Sequence, residues 1–124
     1  MKILLFSTGF IDVMIELANA LSKLETTVLM LPKNSLTKER LKIISRGIIL
    51  EEFYMPRQRY PTSLFMMGRI VKTILKHNPD LIHIQAHGHG WFFAGFPFLK
   101  KYPIVNTIHD PEVHLGDRMA RGNF

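Results

Sequence analysis

Two segments of this sequence concentrate residues able to bind a polar ligand or exchange a proton. The first is Asn106-Thr-Ile-His-Asp-Pro-Glu-Val-His-Leu-Gly-Asp117, which gathers His109, Asp110, Glu112 and His114. It follows the apolar pair Ile104-Val105, which reads as a strand, so these side chains stand just past a strand's carboxyl end. In open α/β sheets that rim is where ligands bind. His109 can exchange a proton near neutral pH or accept a hydrogen bond from a hydroxyl. Asp110 precedes Pro111, so it also fits the start of an Asx turn. Glu112 and His114 read equally as solvated loop residues.

The second segment is Ala86-His-Gly-His-Gly90, after another apolar run. Gly88 and Gly90 leave the backbone open, while His87 and His89 offer donors and acceptors. Histidine and aspartate are zinc ligands. This His-x-His pair, however, stands in a glycine-rich loop, and no further spacing matches a metal motif. The expected role is hydrogen bonding to a polar ligand, with no metal and no cofactor. A third candidate is Gly9 in Ser7-Thr8-Gly9, between a strand and a helix; it either admits a ligand to the backbone and helix N-terminus or simply makes a tight turn. The dinucleotide fingerprint GxGxxG and the Walker A motif are absent. So are cysteine and the GxSxG elbow, which leaves nucleophilic catalysis unsupported. His83 lies inside a strand pattern and reads as a packed residue.

The elements that must position these loops alternate. Lys2-Ile-Leu-Leu-Phe6 is continuously apolar, as suits a strand buried on both faces. Ile11, Met14, Ile15, Ala18, Leu21 and Leu24 share one helical stripe, with Asp12 in the favourable first turn. Thr27 to Leu31 is a second strand, stopped by Pro32. Leu36 to Ser45 is a weaker helix ended by Gly47, and Ile48 to about Phe53 is a third strand. Thr62 or Ser63 caps a helix running to His77, whose apolar face is Leu64, Met67, Ile70, Val71, Ile74 and Leu75. Leu81 to Gln85 is a fourth strand, Trp91 to Lys101 a short apolar helix disturbed at Pro97, and Ile104 to Ile108 a fifth strand. The pattern predicts an α/β fold: a Rossmann-like parallel sheet of five strands with helices on both faces.

A chain of 124 residues makes one domain, able to bury roughly two thirds of its unfolded surface. With 47% apolar residues it is not a disordered chain, and the lack of cysteine fits a reducing, cytoplasmic setting. The net charge of +6 is scattered, with no block dense enough for a nucleic-acid tail and no recognised nucleic-acid motif. It reads as a solvated surface or as attraction to an anionic substrate or membrane. No signal peptide is visible, and the longest apolar run, Trp91 to Leu99, is about half a bilayer span. The chain is expected to be soluble or peripheral to the inner face of a membrane.

The order Met1-Lys-Ile-Leu-Leu5, Leu17-Ala-Asn-Ala-Leu-Ser22, Asn78-Pro-Asp-Leu-Ile-His-Ile-Gln85 and Pro103-Ile-Val-Asn-Thr-Ile-His-Asp110 resembles the N-terminal domain of GT-B glycosyltransferases. The group most resembled is retaining family 4, the glycogen synthase and sucrose synthase relatives, with "PD(V/I)IH" before one rim loop and "TxHD" before the next. The resemblance covers residues 1–118 and leaves 119–124 as a truncated tail. It implies an acceptor-side domain facing a donor domain across a cleft. The Gly9 loop, His87, Gly88, His89, His109 and Asp110 would face that cleft. His109 would lie close to the transferred sugar, Asp110 would orient its loop, and no metal would be needed.

Two departures accompany the resemblance. Many members have a Gly-Gly pair in the first loop, where this sequence has Gly9 alone. The donor domain, with its paired-glutamate motif and basic phosphate clamp, is missing, as are the last strands of the N-terminal domain. The expectation is therefore a truncated frame, a fragment or half of a split enzyme, without turnover by itself. Its partners would be a nucleotide-sugar donor, a sugar or lipid-linked acceptor and a donor-domain chain. The alternative is a non-enzymatic Rossmann-like subunit that docks a partner chain or an anionic membrane surface.

Overall fold

The computed structural model describes residues 1–55, 62–85, 95 and 97–107. The elements are β1 (Lys2–Ser7), α1 (Ile11–Leu21), β2 (Thr26–Pro32), a 3-10 turn (Lys33–Ser35), α2 (Lys38–Ile43), β3 (Ile49–Phe53), α3 (Thr62–His77), β4 (Leu81–Gln85) and β5 (Ile104–Asn106). The five strands pair in the order β3-β2-β1-β4-β5, and every pairing is parallel. The apolar runs produce this because a central parallel strand is covered on both faces. Within β1, alternate residues feed two cores. Leu4 and Phe6 join Val28, Met30, Ile82 and Ile84 beneath Met67, Ile70, Val71 and Ile74 of α3. Ile3 and Leu5 join Leu29 and Leu31 beneath Ile11, Met14, Ile15 and Ala18 of α1.

Phe6 is fully buried and stacks on Phe53, with ring centroids 4.9 Å apart and planes at 18°. A buried phenylalanine contributes roughly 1.5–3 kcal/mol, with about 0.5–1.5 kcal/mol more for a well-placed aromatic pair. Gly95 lets its segment reach α3: a Cβ there would overlap Met67 Cε and stand 3.1 Å from Val71 Cγ2.

The helix boundaries differ from the sequence pattern for local reasons. α1 stops at Leu21, where Glu25 N–H donates to Leu21 O at 2.8 Å and turns the chain into β2. Leu24, on the predicted stripe, falls in that turn and is 80% exposed. α2 keeps only Lys38–Ile43, capped by Thr37, whose hydroxyl accepts from Arg40 N–H at 3.2 Å; Ile44 is already extended. Thr62 and Ser63 lie inside α3, so neither is a cap ahead of it. Of the predicted helix Trp91–Lys101, Pro97–Leu99 form a 3-10 turn, and the rest falls largely outside the described residues.

Candidate functional site

The chain lays β1, β2 and β3 outward in one direction, then returns across the sheet to lay β4 and β5 on the other side. The direction of winding therefore changes between β1 and β4, and that is where the carboxyl ends of neighbouring strands open a crevice. Ser7 of β1 is in register with Gln85 of β4, and both are buried although polar. Ser7 Oγ donates to Gly9 O and, at 3.5 Å, to Gln85 O. Thr8 N–H donates to Gln85 O at 3.2 Å, tying the β1 loop to the end of β4. Neither Ser7 nor Gln85 stood out in the sequence; the available signal was that each ends an apolar run with a polar residue.

Gly9 stands above this junction. A Cβ built on it meets none of the described residues within 4 Å, and its backbone φ is not in the left-handed region. The described residues therefore make no steric demand for glycine there. The unusual backbone belongs to the next residue: Phe10 has φ 52° and ψ 46°, costing roughly 1–2 kcal/mol for a residue with a Cβ. Phe10 O accepts from Met14 N–H at 3.1 Å, which starts α1, and among the described residues no side chain caps that helix. Arg40 braces the same end of the sheet. Its Nε donates to Asp12 Oδ1 at 3.0 Å and its NH1 to Ser35 O at 2.7 Å.

The third strand end on this side is β5. Thr107 N–H donates to Ile84 O at 3.0 Å, extending the ladder beyond Asn106. His83 Nε2 and Thr107 Oγ1 share a hydrogen bond of 2.5 Å between β4 and the exit of β5. His83 is half-buried in its strand, and burial pushes its pKa below the ordinary histidine value. Its ring thus holds the Thr107 side chain, two residues before His109, a link that 24 residues of separation concealed.

Gly9 is the predicted site residue that can be placed. His87, Gly88, His89, His109 and Asp110, with Glu112 and His114, lie outside the described residues. What is placed is the rim from which those segments leave: Gln85 beside Ser7, and Asn106 beside Ile84. Among the described residues, no three His, Asp or Glu side chains are grouped to hold a metal ion.

A parallel sheet in this order, with helices on both faces and a switch point between β1 and β4, defines a Rossmann-like α/β domain. The family model of Glycosyltransferase Family 4 matches residues 12–123, and the chain belongs to that family. No curated protein and no solved structure matches it significantly. The resemblance read from the sequence therefore stands, as does the fold class.

Proposed function

We propose that this domain is the acceptor-side part of a retaining, nucleotide-sugar-dependent glycosyltransferase, and that turnover requires a donor-binding domain opposite its rim. The observation that carries the reading is the switch point between β1 and β4, with open space above Gly9 and the β5 exit alongside. Gly9, His87, Gly88, His89 and Asp110 are assigned to substrate binding. His109 is assigned to catalysis, close to the transferred sugar. Catalysis would come mainly from orientation: the acceptor hydroxyl is held against the anomeric carbon of the donor sugar, which makes the reaction effectively unimolecular. His109 would favour charge developing beside that carbon. Ser7, Gln85, His83 and Thr107 position the two loops and touch neither substrate.

The test is amide chemical-shift mapping on the chain, titrated with UDP- and GDP-sugars and with simple sugar acceptors. Acceptors should shift Gly9, Thr107 and the segments that begin at residues 86 and 108. Nucleotide sugars alone should bind weakly, because binding would be shared with the opposite domain. Shifts concentrated on the other edge, around Glu25 and Asp80, would count against the rim. Sub-micromolar binding of a nucleotide sugar to the chain alone would count against the acceptor side.

A further inference from the structure

α3 turns one face to the sheet and an unusual face outward. Ser63, Met67, Ile70, Val71 and Ile74 are buried. Leu64 and Phe65 are not: they are 68% and 69% exposed. Phe65, Arg69, Lys72 and Lys76 fall on one stripe and line a shallow groove with Gly68 and Thr73. A second, apolar groove meets the first at Gly68 and is lined by Leu64, Met67, Val71, Gly95 and Phe98. Phe98 is 66% exposed, and the exposed Lys100 and Lys101 follow it. Helix Thr62–His77 contains no Asp or Glu, so Arg69, Lys72 and Lys76 have no acid beside them on their own helix.

A water-facing helix surface normally mixes charge signs and carries few large apolar groups. Cations alone would suit any polyanion, and aromatics alone would suit another protein. Here an exposed phenylalanine lies among three cations, and a second lies across the adjoining groove. That combination matches a bilayer interface. Aromatic and leucine side chains enter the headgroup layer, and the long lysine and arginine stems carry their charges back to the phosphates. None of the described helices is long and apolar enough to cross a membrane, so the contact would be peripheral.

We propose that the outer face of α3, with Phe98 beside it, docks this chain on an anionic lipid bilayer. The proposal is independent of the transferase reading. Since α3 follows β3 in the chain, its first turn, which carries Leu64 and Phe65, is the end nearer the rim.

The experiment is vesicle co-flotation of the full chain, with circular dichroism of each variant to confirm folding. Phosphatidylcholine–phosphatidylglycerol vesicles should carry the chain up the gradient, more at low salt than at high; phosphatidylcholine vesicles should not. Each cation near such a surface is worth about fivefold in partition, so Lys72→Glu with Lys76→Glu should weaken binding about a hundredfold or more. The matched pair Lys38→Glu with Lys42→Glu on α2 should change it far less. Phe65→Ser with Phe98→Ser should leave weak binding that added salt abolishes. Equal binding to both vesicle types, binding to neither, or equal loss from the α2 and α3 pairs would overturn the proposal. So would a dimer in solution that Phe65→Ser dissociates, which would assign the face to a second copy. Preference for a short DNA duplex over the anionic vesicles would also overturn it, marking the face as a general polyanion site.

Discussion

Removing the hydrogen bond between His83 and Thr107 should loosen the exit of β5 at a measurable cost. A net intramolecular hydrogen bond contributes about 0.5–1.5 kcal/mol, and the half-buried His83 ring adds roughly 1 kcal/mol of packing. His83→Ala should therefore destabilise by about 1.5–2.5 kcal/mol. Thr107→Val keeps the side-chain shape and should cost about 1 kcal/mol. The two should couple by roughly 0.5–1.5 kcal/mol, since both single changes remove the same 2.5 Å contact. Proton linkage gives an independent check. Burial holds the His83 pKa below its ordinary value, so as pH falls through about 6.5 the unfolded chain takes up a proton that the native chain resists. This contribution is fully present above that pH and is lost as the solution becomes more acidic. Urea unfolding of all four proteins, about one unit above and one unit below 6.5, measures both effects. Additive single changes, with the same acid sensitivity in His83→Ala as in the parent, would show that the contact does not hold β5.

Gly9→Ala should fold with unchanged or slightly raised stability, within about 1 kcal/mol, because its Cβ enters open space. The same variant should bind acceptor more weakly in the titration above, and unchanged affinity would leave Gly9 a simple turn residue. Gly95→Val should lower the melting temperature, since its side chain would overlap Met67 Cε; overpacking of this kind costs about 1–3 kcal/mol. In an enzyme completed by a donor domain, His109→Ala should lower turnover about 10²-fold or more with a smaller change in donor binding. Near-parental turnover by that folded variant would remove His109 from the site.

The readable parts of the fold were those where one physical pattern governs a whole element. β1 and β2 are continuously apolar because both of their faces are covered, and α1 shows its stripe because one face alone is buried. β3 reads as mixed because it is an edge strand: Ile49 is exposed, and Glu51, on the face covered by α3, pairs with His77 Nε2 at 2.9 Å at the end of that helix. Strand order could not be read, since no local pattern records which strands become neighbours. Nor could the left-handed backbone be assigned to Phe10 instead of Gly9, because glycine is the usual occupant of that conformation. At the candidate site, the strands β1, β4 and β5 from which the loops leave were legible as apolar runs. The bond between His83 and Thr107 and the junction of Ser7 with Gln85 depend on contacts across the sheet.

The central position of β1 has a consequence for synthesis of the chain. β1 leaves the ribosome before the other four strands, yet it is bordered by β2 on one side and by β4, starting at Leu81, on the other. At about 5–20 residues per second, roughly 4–16 s separate the appearance of β1 from that of its second neighbour. During that interval Ile3, Leu4, Leu5 and Phe6 belong to a strand with at least one open edge. Translation rate and early chaperone contact should therefore affect the yield of folded protein more strongly than substitutions at the late strand β5.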